Sequence, residues 1–513
     1  MVFRKVISWL GKQTQSESSR KEANRPAQSV RPSPQDFASA TTIPRNQHLV
    51  SRSKISPSAL KVLYRLKDNG YDAYLVGGCI RDILLGLEPK DFDVVTNATP
   101  EQVKACFNNC RLIGRRFRLA HVMFGREIIE VATFRGHHQA PTDEAHETDP
   151  KMLAKKISRA SDEGQLLRDN VYGTIEEDAE RRDFTVNALY YSIRDYAIYD
   201  FANGVDDINK GVIDLIGDPE TRYREDPVRM LRAIRFSTKL RMKIAERTEA
   251  PIYELAHLLR NIPPARLFDE SLKLLLSGKG SDNYHSLREY GLFRYFFPVV
   301  DQVLSGNPDD KEEILLEVMF NNTDTRINSG KSVSPAFVLA AMLWYPLEAH
   351  ADELALEGGL HPYDAFQLAI NDVLHRMIQT VAIPKRFTAT MREIWQFQHR
   401  LTKTKGKRPL QLLENPRFRA AYDFLVLRGE AEGGELKELA NWWTEFQTTD
   451  EAKRVQPRQE RRGPSGRNPR RERAAKDEGA AKGEEAGRDA DGKSSDRGKH
   501  RKRRRRPAKS TNQ

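Results

Sequence analysis

The alternation of apolar and polar residues predicts a small region of strands and helices followed by a longer helical region. An apolar run at 74–76 ends at Gly77-Gly78, and a helical pattern covers 79–87, so we expect a strand, a glycine turn and a helix. Further runs predict strands at 91–96, 121–124 and 127–134, the last two as a hairpin. From residue 183 to about 443 the period is mainly helical, which indicates an α+β chain.

Three segments lack this periodicity. Residues 1–50 are rich in Ser, Gln, Arg and Pro, and we predict a mostly disordered leader there. Residues 136–170 are polar without a regular period, which suggests a mobile excursion. Residues 451–513 contain no Phe, Tyr or Trp, so a disordered tail is predicted because almost nothing there can be buried.

The net charge of the chain resides in its tail. The chain carries 84 Lys and Arg against 72 Asp and Glu, a net charge of +12. Residues 451–513 hold 22 of the basic and 10 of the acidic side chains, so residues 1–450 are formally neutral. A basic segment can neutralise the phosphates of a nucleic acid whatever its base sequence. The run with Arg503, Arg504, Arg505 and Arg506 is therefore a candidate RNA tether. The alternative is an ordinary solvated tail.

Cysteine usage and hydropathy bear on the compartment. Cys79, Cys106 and Cys110 form neither a disulfide framework nor a zinc pattern, so we expect reduced thiols and a cytoplasmic location. No stretch approaches the roughly 20 apolar residues that span a bilayer, so no stable membrane insertion is expected.

The glycine turn is the strongest local indication of chemistry. Two glycines between a strand and a helix let phosphate oxygens approach the backbone, and the start of the helix offers unpaired N–H groups. Arg81 adds a cation for a triphosphate, and Asp82 completes the motif Gly-Gly-x-x-Arg-Asp. We therefore assign Gly77, Gly78, Arg81 and Asp82 to nucleotide binding.

A pair of carboxylates follows the glycine turn. On a strand, Asp91 and Asp93 point to one face while Phe92 points to the core. Such carboxylates repel each other unless a divalent cation lies between them, and Mg²⁺ favours carboxylates together with substrate phosphates. We predict Mg²⁺, or Mn²⁺, at this pair, although an isolated Asp-x-Asp is usually a solvated turn. Glu130 is a candidate third ligand, with a charge at the strand edge as the alternative.

The motif Arg-Arg-Asp-Phe-Thr-Val-Asn at 181–187 is a second candidate for nucleotide binding. If it is helical, Asp183 and Asn187 lie one turn apart on the same face and could hold ribose hydroxyls, with Arg182 near a phosphate. The same spacing equally fits an Asp N-cap with a solvated Asn. If Asp183 does hold the nucleotide, it joins Asp91 and Asp93 as a candidate catalytic residue.

A third motif, at 224–236, begins another predicted helix. Asp226 fits the N-cap and Pro227 the first helical position, after which Arg229 and Arg232 follow on one side. An acceptor beside a fork of donors suits the edge of an incoming base, so these residues join the nucleotide-binding set. The alternative is a capped surface helix with a basic face.

Together and in this order, Gly-Gly-x-x-Arg-Asp, Asp-x-Asp, Arg-Arg-Asp-Phe-Thr-Val-Asn and Glu-Asp-x-x-Arg resemble the class II nucleotidyltransferases, the family of the CCA-adding tRNA enzymes and the bacterial poly(A) polymerases. The resemblance implies a small mixed-sheet catalytic head followed by helical neck, body and tail domains. It places metals at Asp91 and Asp93, the nucleotide site at Asp183 and Asn187, and base reading at Asp226 and Arg229.

On this resemblance the chain divides into five parts. They are the leader 1–50, the catalytic head 51–200, the neck 201–275 for nucleotide and base recognition, the RNA-binding body 276–450 and the basic tail 451–513.

The segments 112–122 and 217–236 look like the poly(A) polymerase branch of this family. That branch implies template-independent, metal-dependent addition of AMP from ATP to RNA 3′ ends, which promotes RNA turnover, with RNA and the RNA-decay machinery as expected partners. Lys385 and Arg386 lie in a further similar segment and could guide the primer. The alternatives are a CCA-adding enzyme and a non-catalytic RNA-binding protein on the same scaffold.

Overall fold

The head of the chain is one mixed sheet of eight strands. The structure is a computed structural model that describes residues 39–114, 118–136 and 171–455. The strands are β1 (Thr41–Ile43), β2 (Ala73–Val76), β3 (Asp93–Thr96), β4 (Cys110–Ile113), β5 (Leu119–Phe124), β6 (Glu127–Thr133), β7 (Leu189–Ser192) and β8 (Ile198–Asp200). Their order is β1-β8-β7-β2-β3-β6-β5-β4, and only β3 and β6 pair in parallel.

Helices accompany the sheet on both faces. The described helices of this region are α1 (Pro57–Asp68), α2 (Gly78–Leu84), α3 (Pro100–Cys106), α4 (Ile175–Glu180) and α5 (Gly204–Lys210). Helix α1 begins where the sequence predicts, because the Ser56 side chain accepts a hydrogen bond from the Ala59 N–H and Pro57 fits the first turn. Its apolar stripe packs with Leu75 in the main core, while Tyr74 faces a second, smaller core.

The remainder of the described chain is helical apart from a small parallel pair, β9 (Val212–Ile213) and β10 (Lys243–Ile244). The helices are α6 (Pro219–Glu225), α7 (Val228–Leu240), α8 (Glu246–Leu255), α9 (Pro264–Leu275), α10 (Gly280–Glu289), α11 (Phe293–Phe296), α12 (Pro298–Asp301), α13 (Lys311–Asn328), α14 (Pro335–Met342), α15 (Trp344–Gly358), α16 (Pro362–Thr380), α17 (Lys385–Leu401), α18 (Arg408–Leu413), α19 (Phe418–Glu432), α20 (Gly434–Phe446) and α21 (Asp450–Val455). Among the described residues, no helix combines the length and apolar character required to traverse a bilayer.

The predicted elements of the head are present, with shifted ends. The strand expected at 74–76 is β2, the helix after the glycines is α2, and the predicted hairpin is β5 and β6, where Phe124 pairs with Glu127. The strand expected from Asp91 begins at Asp93. The α+β pattern predicted from the sequence, and the mixed-sheet head with a helical remainder that the family resemblance implies, are both confirmed.

The end of the predicted leader is ordered. Residues 41–43 form β1, which pairs antiparallel with β8, and a short 3-10 helix follows at Arg45–Gln47. The sequence pattern missed this strand because its side chains are largely exposed, so the backbone pairing holds it in place rather than apolar burial. Residues 1–38, the excursion at 137–170 and the tail beyond residue 455 lie outside the described residues.

Strand register brings three segments to one end of the sheet. Val76, at the end of β2, pairs with Asp93 at the start of β3 and with Tyr190 near the start of β7. Asp93 in turn pairs with Glu130 on β6. Because the glycine turn follows Val76 directly, the motifs of the head converge at this end.

Candidate active site

The glycine turn depends on a backbone conformation that favours glycine. Gly77 has φ +78°, a region that side-chain-bearing residues rarely adopt. A Cβ atom at Gly78 would lie 3.2 Å from Nη2 of Arg81, so the space above the turn is also tight. The turn thus exposes backbone at the floor of a cavity of about 520 Å³.

Asp91 and Asp93 both line this cavity. Burial, together with the negative charges of Glu130 and Asp91, raises the pKa of Asp93 to about 6, while Arg182 opposes the rise. The side chain of Asp93 is open to solvent on the cavity side. The rise in its pKa comes from the protein packed around its other sides and from the two acidic neighbours. A cation placed here would relieve that repulsion.

Glu130 lies beside Asp93 but contacts a different partner. Its Oε1 is 3.1 Å from Nε2 of His121, and it does not line the cavity. Within the described ranges, no group of three His, Cys, Asp or Glu side chains is arranged to hold a metal ion by itself. Asp91 and Asp93 would therefore supply only part of the ligand set of a metal ion.

A chain of hydrogen bonds links the glycine motif to the second motif. The Arg81 guanidinium, only 2% exposed, donates to Oδ1 of Asp82 at 2.6 and 2.9 Å and to Oδ1 of Asn187 at 2.5 Å. Nδ2 of Asn187 donates to Oδ1 of Asp183 at 3.2 Å. The predicted one-turn relation of Asp183 and Asn187 is correct, although the turn is a 3-10 helix over Thr185–Asn187.

Asp183 is paired with Arg232, which lies on α7 in the predicted neck. Nε of Arg232 donates to Oδ2 of Asp183 at 2.7 Å, and Nη2 contacts the same oxygen. Burial alone would raise the pKa of Asp183, but the contacts from Arg232, Asn187 and the Phe184 N–H outweigh it, so the pKa is held well below its usual range. Asp183 is therefore a fixed negative charge at the cavity wall.

Sequence reasoning missed several residues that line the cavity. Phe236 packs under three guanidinium groups, with Arg235 at 4.6 Å and both Arg81 and Arg232 at 5.2 Å from its ring centroid. Five further cations line the same cavity: Arg235, Lys239, Lys90, Lys273 and Lys279. The first two could have been found, because they continue the face of α7 that carries Arg232 at helical spacing. The lysines from outside α7 are brought in by tertiary packing.

Arg182 lies behind the glycine turn rather than in the cavity wall. It donates to Oδ2 of Asp178 at 3.0 Å and to the Tyr190 hydroxyl at 2.8 Å. Its Nη1 would be 3.7 Å from a Cβ atom at Gly77. Its positive charge still acts on Asp93, as the pKa of that carboxyl indicates.

Asp226 and Arg229 also lie outside the cavity wall, and each has other partners. Both carboxylate oxygens of Asp226 accept hydrogen bonds from Arg266 on α9, at 2.8 and 2.6 Å. Nη1 of Arg229 donates to the Arg222 carbonyl at 2.6 Å and to Glu225 at 2.9 Å. The predicted N-cap is displaced by one residue, since Pro227 is the N-cap of α7 while Asp226 ends α6.

The predicted RNA contacts lie on another part of the molecule. Lys385 and Arg386 are exposed at the first turn of α17, and that turn holds no acidic residue. Trp395 on the same helix is fully buried and donates from Nε1 to the Ala340 carbonyl at 2.9 Å, so it belongs to the core. Arg503 to Arg506 lie outside the described residues, as do Arg115 to Phe117 of the branch signature.

Three family models match the chain. They are described as the poly A polymerase head domain, over residues 73–214, the probable RNA and SrmB-binding site of polymerase A, over 241–304, and the polymerase A arginine-rich C-terminus, over 358–477. The first spans the glycine turn, the carboxylate pair and the Asp183 motif.

Curated relatives match most of the chain. It is 55% identical over 443 residues to poly(A) polymerase I of Salmonella typhimurium, covering 84% of this chain and 93% of that protein. It is 51% identical over 412 residues to poly(A) polymerase I of Haemophilus influenzae, covering 80% and 89%. A CCA-adding enzyme of Lactobacillus helveticus is 36% identical over 216 residues, covering only 42% of this chain and 49% of that enzyme.

Solved structures share the fold at low identity. A CCA-adding enzyme in complex with CTP has a TM-score of 0.52 at 20% identity, covering 80% of this chain and 87% of that chain. The Thermotoga maritima CCA-adding enzyme complexed with tRNA has a TM-score of 0.51 at 19% identity, covering 79% and 85%. These similarities concern architecture alone.

Proposed function

Because this chain belongs to the poly(A) polymerase family, we propose that it adds AMP from ATP to RNA 3′ ends without a template, at the cavity that Asp91 and Asp93 line. The observation that carries the proposal is the 55% identity to a poly(A) polymerase I across 84% of the chain. The CCA-adding relatives match a smaller share at lower identity. An enzyme, rather than a silent RNA-binding protein, is also favoured by the intact carboxylate pair beside the glycine turn.

We propose Asp91 and Asp93 as the residues that hold Mg²⁺, with Mn²⁺ as the substitute. Oxygen donors suit these hard cations, and the raised pKa of Asp93 marks an excess of negative charge that a cation relieves. Asp82 and Asp183 also line the cavity, but each is paired with an arginine. ATP phosphates would therefore complete the ligand set, with Glu130 as a candidate from the neighbouring strand. Bound divalent ions supply positive charge for the attacking 3′-oxygen and the departing pyrophosphate.

The chain's own residues would position the two reactants. The backbone at Gly77 and Gly78 admits the triphosphate. Lys239, 42% exposed, lines the cavity and lies 3.3 Å from Oδ2 of Asp82, so it would have to share its charge between that carboxylate and the phosphates. Arg81 is committed to Asp82 and Asn187, so its role is to fix the turn and to contribute charge from beneath. Asp183 and Asn187 would accept from and donate to ribose hydroxyls at the wall.

The reaction forms one bond and breaks one. The 3′-oxygen of the RNA bonds to the α-phosphorus of ATP, the bond from that phosphorus to the bridging oxygen breaks, and pyrophosphate leaves with the electron pair. The hydroxyl proton goes to solvent. Most of the catalytic effect would come from positioning and charge stabilisation. Asp226 and Arg229 remain our candidates for reading the base, which requires Asp226 to exchange its contact with Arg266.

RNA and ATP are the partners that this function requires. Lys385 and Arg386 begin α17 with two cations where the helix dipole disfavours them, and a phosphate from the primer would offset that cost. We propose the cytoplasm as its location, because Cys79, Cys106 and Cys110 are all free thiols. The RNA-decay machinery stays a proposed partner that rests on resemblance alone.

The test is a product ladder on a generic RNA primer with each of the four NTPs supplied separately. We expect long products with ATP and far slower extension with the other three nucleotides. A tRNA lacking its CCA end is the companion substrate. Incorporation of CTP there at a rate equal to that of ATP would replace this function with CCA addition, and no product with any nucleotide would favour the silent scaffold.

A further inference from the structure

A second cavity opens on the head, at the end of the sheet remote from Asp91 and Asp93. It measures about 300 Å³, and we call it the rear pocket; its lining residues are Arg45, Ser51, Arg52, Ser53, Tyr191 and Tyr196. Strand β2 ends beside Asp93, and β7 runs antiparallel to β2, so the turn after β7 that carries Tyr196 lies at the opposite end. The rear pocket is therefore separate from the catalytic cavity.

The ordered end of the leader contributes Arg45 to this pocket, and hydrogen bonds of His48 hold it in place. His48 accepts a hydrogen bond at Nδ1 from the Val50 N–H at 3.2 Å, and its Nε2 lies 3.0 Å from the Tyr196 carbonyl. Those two partners require a neutral ring that donates from Nε2, and burial lowers the pKa of His48 accordingly. Tyr196 is held at φ +61°, a strained conformation for a tyrosine.

Two cations face the rear pocket without a balancing carboxylate. Nη1 of Arg45 donates to the His48 carbonyl at 3.1 Å, and Nη1 of Arg52 donates to the Tyr64 hydroxyl at 3.3 Å. Neither forms an ion pair with any described residue, and no Asp or Glu lines the pocket. The Oγ atoms of Ser51 and Ser53 lie 2.7 Å apart, so they add hydroxyl groups to the same wall.

A buried donor without a partner completes the arrangement. Tyr191 is fully buried, and its hydroxyl has no hydrogen-bond partner among the described residues. Tyr191 lines the pocket together with the two arginines. Burial raises the pKa of this hydroxyl, while the charges of Arg45 and Arg52 oppose the rise. An unmet buried donor costs free energy that a bound acceptor would recover.

We propose that the rear pocket binds a phosphate group. The two guanidinium groups would supply paired donors and charge, the serine hydroxyls and Tyr191 would complete a shell around the tetrahedral oxyanion, and the volume accommodates one phosphate with its waters. The phosphate could belong to free inorganic phosphate or to the 5′ end of an RNA. This site is independent of the proposed adenylyl transfer, because none of its residues lines the catalytic cavity.

The experiment follows the thermal midpoint of the full-length protein during titration with inorganic phosphate at constant ionic strength. Binding to the native state raises the midpoint. In the double variant Arg45→Gln/Arg52→Gln, the rise in midpoint that comes from phosphate bound in the rear pocket should disappear. Tyr191→Phe, which removes one hydroxyl, should weaken the affinity for phosphate about tenfold. Arg126→Gln, an exposed arginine on the turn after β5, is the matched control and should behave as wild type.

Two RNA arms distinguish the sources of the phosphate. A 5′-phosphorylated oligoribonucleotide is compared with the same RNA bearing a 5′-hydroxyl. If wild type prefers the phosphorylated RNA and Arg45→Gln/Arg52→Gln abolishes this preference, the pocket binds an RNA end. If only inorganic phosphate raises the midpoint, the pocket binds the free ion. Equal phosphate-dependent rises in all four proteins would overturn the proposal. Adenylylation of a short primer should persist in every variant, so failure here does not touch the proposed function.

Discussion

At the scale of single residues, the candidate site depends on charges that balance only in part. Asp183 has an arginine partner that donates twice to one of its oxygens, whereas Asp93 faces Glu130 and Asp91 and has a raised pKa. The contrast separates a carboxylate whose charge is already compensated from one that would hold a cation under the proposed function. It also identifies Asp93 as the more informative position for substitution.

Asp93→Asn should reduce AMP addition by roughly a thousandfold or more, because the neutral amide would bind Mg²⁺ much more weakly than the carboxylate does. RNA binding should stay within about twofold of wild type, since the surface contacts are unchanged. Single-turnover extension and an RNA-binding titration measure the two effects. Retained activity in this variant would refute the metal assignment.

The same substitution should change stability in a pH-dependent way. The folded pKa of Asp93 lies near 6, above its ordinary value of 3.8, so the folded state holds the proton more tightly. The stability linked to that proton is present below about pH 4 and is lost as the pH rises through 6. In metal-free buffer, Asp93→Asn should therefore melt at a higher temperature than wild type at pH 7, with the difference closing toward pH 4.

The controls for this melting series are a second aspartate and the metal itself. Asp68→Asn, at the exposed end of α1, should show no such pH-dependent difference. Added Mg²⁺ with ATP should restore part of the wild-type stability at pH 7. A constant offset between the proteins from pH 4 to 7 would contradict the raised pKa.

At the scale of secondary-structure elements, the sequence predicts the elements that have a local pattern and misses those that depend on contacts distant in sequence. The Asp183 and Asn187 relation followed from spacing along one short segment, and the hairpin β5–β6 followed from two apolar arms. Strand β1 and the placement of Lys273 and Lys279 at the cavity did not, because both depend on contacts between segments remote in sequence. Local pattern carries no information about such contacts.

Helix α17 offers a comparison of two faces of one element. Lys385→Gln/Arg386→Gln should leave the free energy of unfolding nearly unchanged but raise KM for a long RNA primer several-fold, because these side chains are exposed. Trp395→Ala should cost about 3–5 kcal/mol of stability, since it empties a fully buried site and leaves the Ala340 carbonyl without its donor. Denaturant unfolding and primer-length kinetics measure these outcomes. A destabilised double variant with unchanged KM would reverse the assignment.

At the scale of the whole molecule, the catalytic cavity joins segments from the head and the helical region. Gly77 and Asp93 come from the sheet end, Arg232 from α7, and Lys273 from α9. This arrangement explains why no single stretch of sequence could describe the cavity. The excess positive charge lies elsewhere, in the tail.

Deletion of residues 457–513 should reduce RNA affinity and flatten its dependence on salt while sparing extension of a short primer. The cut preserves α21, where Ala452 is buried against the last core cluster. Single-stranded RNA binding loses about 0.7 in log–log salt slope for each phosphate contact removed. Titrations at several salt concentrations measure the slope, and an unchanged slope would exclude the tail as a tether.

The three-residue strand β1 has a further consequence for handling this protein. By pairing with β8 it occupies a row of backbone groups that would otherwise stand open at the margin of the sheet, and a strand so short is itself a poor template for another chain. A recombinant version that starts at Ser56, where a sequence-based designer would cut, should self-associate as its concentration rises. One that starts at residue 39 should stay dispersed, as light scattering would reveal.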